Sequence, residues 1–222
     1  LGFEQTYKNA LTGLPIGGAA GGADFDPRGK SRREIMRFCQ SFMFSLFRYI
    51  GSDTDVPAGD IGVGSREVGW LYGAYKRVTG RAESSALTGK GLTYGGSRVR
   101  QAAAGFGTVY FLARMLEHQG ETLEGKRLIV SGFGNMSWGV CRKAAELGAR
   151  VVTLSGPDGY VYDPEGVATQ EKYDFMVKMR YSGEDRVEAY AEEFGVEFHP
   201  GKKPWEVPGD AAIPCATENE LT

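Results

Sequence analysis

Two histidines, three cysteines and nine prolines are few for 222 residues, and each scarcity removes a class of protein. With only His118 and His199, a histidine-based metal centre is not expected. Cys39, Cys141 and Cys215 are odd in number and too scattered for metal-ligand spacing, so no metal site is assigned. The same scatter argues against a disulfide framework. The thiols read as reduced, two of them buried, in a cytoplasmic protein. Neither sign of charge dominates, since 26 basic and 28 acidic residues leave a formal charge of −2. That balance offers no basic field for nucleic acid and no acidic tail. Long apolar runs are also missing. The richest stretch, 42–50, is broken by Ser45 and Arg48, so no transmembrane helix is expected, and no signal peptide is visible.

Glycine, by contrast, is abundant. The chain holds 33, where the usual frequency of about 7% would give roughly 15 or 16. There is no G-X-Y period, which excludes collagen, and 41% hydrophobic with 12% aromatic residues can fill a core. The excess therefore marks backbone positions that need positive φ or a close approach by another group, as in ligand-handling proteins.

Patterning divides the chain in two. Residues 1–11 read as a helix stopped by Gly13 and Pro15, followed by the turn Gly17-Gly18-Ala19-Ala20-Gly21-Gly22. Ser31 and Glu34 form a capping box that opens a long helix, and another helix runs from about 66 to 78. A glycine-rich passage over 84–104 serves as the linker, and helix resumes over about 106–118. From Lys126 strands alternate with helices. Leu128 to Ser131 is a short apolar strand suited to a parallel sheet, Gly132-Phe133-Gly134-Asn135 turns into a helix ending at Gly148, and 150–154 is the next strand. Helices follow over about 169–181 and 184–194, then a strand at 211–213. The expected class is α/β: a partial α/β substrate-binding and oligomerisation domain over 1–95, then a Rossmann-type dinucleotide-binding domain over 96–222.

Strand, Gly132-x-Gly134-x-x-Ser137, helix, strand is the strongest local motif. The first glycine permits the tight turn, the second lets backbone approach a pyrophosphate, and Ser137 replaces the usual small third residue. The helix start then supplies N–H donors for phosphate. After the second strand comes Ser155-Gly156-Pro157-Asp158-Gly159, where Asp158 would repel a 2′-phosphate while Phe133 and Pro157 offer it no donor. NAD is expected over NADP on that ground, although Asp158-Gly159 also suits a plain turn. Asp60 sits on a glycine-flanked loop, where a carboxylate can act as an acid/base or simply form an Asx turn. Gln5 and Lys8 share one helix face, which by default is a solvated one.

Leu1 to Asn9, Leu14-Pro15-Ile16-Gly17-Gly18, the block Asp53-x-Asp55-Val56-Pro57-Ala58-Gly59-Asp60, Gly95-Gly96-Ser97 and Pro214-Cys215-Ala216-Thr217 occur in order along the chain. Together they closely resemble glutamate dehydrogenase of the hexameric bacterial type, within the Glu/Leu/Phe/Val dehydrogenase superfamily. The resemblance implies reversible oxidative deamination of L-glutamate to 2-oxoglutarate and ammonium with NAD(P)+, and homohexamers. Gln5 and Lys8 would line the substrate pocket, with Lys8 on a carboxylate and Gly59 packing against substrate. Asp60 would move protons at the amino or imino nitrogen. Residues Gly132, Phe133, Gly134, Asn135, Met136 and Asp158 would contact the cofactor.

Two positions depart from the family. Its glycine turn reads Gly-Gly-x-Lys-Gly-Gly with a catalytic lysine, and this sequence has Ala20 there. Its Arg-Pro-Glu-Ala-Thr-Gly appears as Arg100 to Gly105, with Ala104 in place of a cofactor-holding threonine. Loss of an acid–base group predicts a rate lower by a factor on the order of 10² to 10⁴. Family chains are considerably longer, so the sequence reads as a segment without a second substrate lysine, a substrate serine and the final helix. The alternatives are a non-catalytic nucleotide-binding or assembly relative, and a dehydrogenase for another amino acid.

Overall fold

The computed structural model describes residues 1–182 and 186–221 and divides the chain into two units, Leu1–Arg98 and Val99–Thr222. The first unit carries α1 (Gly2–Ala10), α2 (Arg32–Leu46) and α3 (Ser65–Thr79), with short 3-10 turns at Ser84–Ala86 and Leu92–Tyr94. The capping box is formed as expected. Glu34 N–H donates to Ser31 Oγ at 3.3 Å, and Ser31 N–H donates to Glu34 Oε2 at 2.7 Å, satisfying two orphan donors at the start of α2. α3 stops at Gly80, whose φ of +67° is the left-handed ending that glycine allows. Met43, Ile50, Tyr72, Ala74, Tyr75, Ala86 and Leu87 form this unit's core. Among its described residues extended pairing is limited to one isolated bridge, Ile50 to Asp55, so helix predominates in this part of the α/β chain. Asp53, Asp55, Pro57 and Gly59 in that stretch are all poor ladder residues.

The second unit holds α4 (Ala103–His118), β1 (Arg127–Val130), α5 (Asn135–Glu146), β2 (Arg150–Val151), β3 (Thr153–Gly156), β4 (Gly159–Tyr162), α6 (Gln170–Ser182), α7 (Glu188–Phe194), β5 (Glu197–Pro200) and β6 (Ala211–Ile213). A parallel sheet runs β2-β1-β6, and a second, antiparallel sheet runs β3-β4-β5. The helix expected over 184–194 is α7, and residues 184 and 185 of that expectation lie outside the described residues.

The strand expected over 150–154 is real but changes partner midway. Up to Val152 its backbone bonds to β1, with Val152 N–H donating to Leu128 carbonyl at 3.0 Å. Beyond that point β3 turns to pair with β4, and buried hydroxyls take over on the β1 side. Val130 N–H donates to Thr153 Oγ1 at 2.9 Å, Thr153 Oγ1 donates to Val130 carbonyl at 3.0 Å, and Gly132 N–H donates to Ser155 Oγ at 2.9 Å. One strand thus serves two sheets without orphaning β1.

α4 and α5 cross where two glycines meet. A Cβ at Gly105 would stand 2.3 Å from Met136 carbonyl oxygen, and one at Gly139 would stand 2.5 Å from Ala102 carbonyl oxygen. Both positions exclude any side chain.

Candidate functional site

The turn from β1 into α5 is a glycine-built cradle. Gly132 has φ +82°, and a Cβ there would lie 2.7 Å from Cys215 carbonyl oxygen, so the fold itself demands glycine. Gly134 is the N-cap of α5 and offers no side chain to its first amides. A Cβ at Gly134 would meet nothing within 4 Å, so open space adjoins the turn at this residue. Unsatisfied N–H groups, the positive end of the helix dipole and open space together fit a pyrophosphate. The residues present therefore fit a dinucleotide.

Around that turn some expectations change. Phe133 was expected at the cofactor, but its ring is buried in the core of the second unit, because the apolar side chain turns away from the polar cradle. Asn135 is exposed at the first position of α5, and Met136 is half-buried with its carbonyl facing Gly105. Asn135 also lines a cavity of about 190 Å³ with Gln101, Ala102, Trp138, Tyr173, Asp174 and Val177. Asp158 lies in the β3–β4 turn, and both carboxylate oxygens are engaged. Val187 N–H donates to Oδ1 at 3.1 Å and Glu188 N–H to Oδ2 at 3.0 Å, so Asp158 caps the start of α7. The turn reading of Asp158-Gly159 is the one the geometry displays. Ala104 is exposed and has no hydroxyl to offer; its carbonyl accepts from Thr108 Oγ1 at 3.0 Å.

Sequence reasoning missed the buried polar groups behind the cradle. Ser131 Oγ accepts from Cys215 N–H at 2.9 Å and donates to Glu220 Oε1 at 2.8 Å. The same Glu220 oxygen accepts from Ala216 N–H at 3.1 Å. Burial and the neighbouring Glu220 push the Cys215 thiol up to about 12, so it is protonated at neutral pH. Only the proximity of residues distant in sequence reveals this cluster.

In the first unit the glycine turn sits directly on α1. A Cβ at Gly18 would lie 2.2 Å from Thr6 N, Asn9 Nδ2 donates to Gly17 carbonyl at 2.6 Å, and Thr6 Oγ1 donates to Gly18 carbonyl at 3.3 Å. Gln5 Nε2 donates to Asn9 Oδ1 at 3.1 Å, so one α1 face organises both the turn and the expected substrate residues. Lys8 on that helix and Ala20 on that turn are exposed.

Asp60 belongs to a second group. Its Oδ1 accepts from Ile61 N–H and its carbonyl from Val63 N–H, both at 2.8 Å, in a turn closed by Gly62 at φ +76°. A Cβ on Gly59 would lie 2.4 Å from Val63 carbonyl oxygen, so the turn alone requires glycine there. The carboxylate itself is exposed. Downstream, Glu67 Oε2 accepts Gly64 N–H at 3.0 Å, and upstream Thr88 N–H donates to Pro57 carbonyl at 2.9 Å. The loop carrying Asp60 is thus tied at both ends. Among the described residues, the hydrogen bonds given above do not join this loop to the α1 group.

A glycine-turned strand–helix–strand in a parallel sheet, with a helix start open to an anion, defines a dinucleotide-binding α/β protein. The family model described as Glutamate/Leucine/Phenylalanine/Valine dehydrogenase matches residues 95–222, and that of the Glu/Leu/Phe/Val dehydrogenase dimerisation domain matches residues 1–77. The chain belongs to this Glu/Leu/Phe/Val dehydrogenase family. It is 56% identical to the NAD-specific glutamate dehydrogenase of Clostridium symbiosum and 53% identical to the NADP-specific glutamate dehydrogenase of Haemophilus influenzae, covering 100% of this chain and 49% of each relative. A solved glutamate dehydrogenase superposes with TM-score 0.94 at 56% identity, over 100% of this chain and 49% of that one. The hetero-hexameric glutamate dehydrogenase of Thermus thermophilus gives TM-score 0.81 at 28% identity, over 100% of this chain and 50% of that one. The chain spans about half the length of the curated relatives it matches. Because NAD-specific and NADP-specific relatives match alike, the expectation that NADP is the less favoured cofactor is corrected: kinship does not rank the two. Among the described residues no helix is long and apolar enough to cross a membrane.

Proposed function

We propose that the chain is the core of a nicotinamide-dependent glutamate dehydrogenase, with substrate-binding and oligomerisation functions over 1–95 and dinucleotide binding over 96–222. The observation that carries the reading is the open, glycine-capped start of α5 beside β1. The names of the relatives supply the substrate, L-glutamate or 2-oxoglutarate with ammonium.

Lys8 would hold a substrate carboxylate, with Gln5 lining the pocket and Gly59 against the substrate. A dinucleotide held at the α5 start would supply the hydride acceptor for the glutamate α-carbon. Asp60 takes a proton from the amino nitrogen as the carbon–nitrogen double bond forms, and water then adds to that imine to release 2-oxoglutarate and ammonium. Gly132, Gly134, Asn135 and Met136 would present the α5 start to the pyrophosphate. Either NAD or NADP would serve as that dinucleotide; Asp158, whose charge would oppose a 2′-phosphate, is the residue on which the choice turns. Homohexameric assembly and a cytoplasmic location belong to the same proposal.

Ala20 offers neither donor nor base, so turnover by this chain should be very low. NADH oxidation with 2-oxoglutarate and ammonium, before and after Ala20→Lys in a full-length background, tests the reading. A gain on the order of 10² to 10⁴ is expected, and no gain in a variant that still folds and binds NADH would sink it. Ala20 also favours a second reading, a nucleotide-binding relative without catalysis. That relative would bind NADH equally well and gain nothing from the lysine.

A further inference from the structure

The peptide unit joining Ser131 to Gly132 is gripped at both ends by buried hydroxyls. On the helix side, Ser137 Oγ donates to Ser131 carbonyl at 3.1 Å. On the strand side, Gly132 N–H donates to Ser155 Oγ at 2.9 Å, and Ser155 N–H returns a bond to Gly132 carbonyl at 3.3 Å. Ser131 and Ser137 are 0% exposed and Ser155 is 3% exposed, so water does not replace either grip. The orientation of this peptide sets the entry into Gly132 at φ +82°, and from there the direction of the amides at the α5 start.

We infer that Ser137 and Ser155 are positioning residues that hold the glycine turn in its dinucleotide-binding geometry. Ser137 occupies the third position of the fingerprint, where only small size is ordinarily needed for helix packing. Here its hydroxyl adds a bond. Ser155 keeps the Gly132 amide from turning outward, and Ser137 keeps the carbonyl of the same peptide from turning inward. Removing either leaves a buried backbone group or its partner unpaired, which favours rotation of the peptide. Thr153 provides an internal comparison. It makes two bonds of the same kind to Val130, at 2.9 and 3.0 Å, but two residues before the turn.

This inference rests on the dinucleotide reading, so two readouts are needed. The variants are Ser137→Ala, Ser155→Ala and Thr153→Ala. The readouts are exchange of the Gly132 amide, followed by NMR without cofactor, and NADH affinity by calorimetry. Both serine variants should speed Gly132 exchange about tenfold or more and weaken NADH binding by about three- to tenfold. Thr153→Ala should lower thermal stability while leaving NADH affinity within about twofold. Ser137→Ala is decisive, because size alone predicts no loss. Unchanged exchange and affinity in that variant overturn the inference. Faster exchange with unchanged affinity overturns the positioning role, as does an equal loss in Thr153→Ala. If the unaltered chain binds no NADH, the dinucleotide reading fails, and Gly132 exchange still decides whether the peptide is held by the two serines.

Discussion

Asp158 was expected to act on the cofactor, yet its carboxylate caps a helix, and the two roles can be separated. Asp158→Ala removes acceptors at 3.1 and 3.0 Å from the first amides of α7. Loss of a capping side chain costs about 0.5–2 kcal/mol. Loss of a negative charge at a helix start adds about 0.3–1 kcal/mol. The sum is about 1–3 kcal/mol, or about 4–12 °C in Tm at roughly 4 °C per kcal/mol for a unit of this size. Asp158→Asn keeps one acceptor oxygen and loses the charge, so it should cost about 1 kcal/mol. Thermal and urea unfolding measure both variants. NADH and NADPH titrations on the same samples read the second role. If the charge also repels a 2′-phosphate, Asp158→Asn should improve NADPH affinity relative to NADH. An Asp158→Ala variant as stable as its parent within about 0.5 kcal/mol, the usual range for an uninvolved surface position, would refute the capping argument.

Three further outcomes follow from the packing. Gly18→Ala should detach the 17–22 turn from α1, since its Cβ would stand 2.2 Å from Thr6 N; hydrogen exchange at residues 17–22 should rise while the second unit is unchanged. Asp163, 1% exposed, is paired with Lys172 and accepts from Tyr190 Oη at 2.8 Å, so Asp163→Ala should cost about 3 kcal/mol in urea unfolding. The triple change Asp163→Leu, Lys172→Met and Tyr190→Phe should recover much of that loss, because neither a charge nor the buried Tyr190 hydroxyl is left unpaired. Lys90 is 6% exposed, bonded to Leu87 carbonyl and set 5.3 Å from the Tyr72 ring centroid, and burial holds its ammonium below the usual lysine range. The unfolded chain therefore binds the proton more tightly, and stability should climb as pH rises through the folded-state value toward 10.5. Lys90→Met should lack that climb in Tm measured against pH; parallel curves would contradict it.

Much of the scaffold was legible because local signals agreed with tertiary ones. Ser31 and Glu34 announce α2, and Gly132 with Gly134 marks the start of α5. The second sheet was not legible. Gly156-Pro157-Asp158-Gly159 reads as a turn after a strand, but that it closes a hairpin depends on β4, which finds both β3 and β5 as partners. Alternating period alone does not show a strand changing sheets, and Thr153 and Ser155 look like ordinary strand residues until β1 is beside them. Of the candidate site, the glycines and Asn135 could be proposed from local sequence, because the part assigned to them is played by backbone. The ring of Phe133 and the carboxylate of Asp158 went elsewhere because their partners come from remote segments.

The crossing of α4 and α5 bears on how this nucleotide-binding module can be moved between proteins. Gly105 and Gly139 are two notches of one joint, each filled by the other helix's backbone. A graft that starts at β1 would carry half the joint and leave Gly139 facing a foreign surface. The smallest portable module therefore begins ahead of α4, near Ala102. At that boundary the two glycines travel together, and a change at one is constrained by the other.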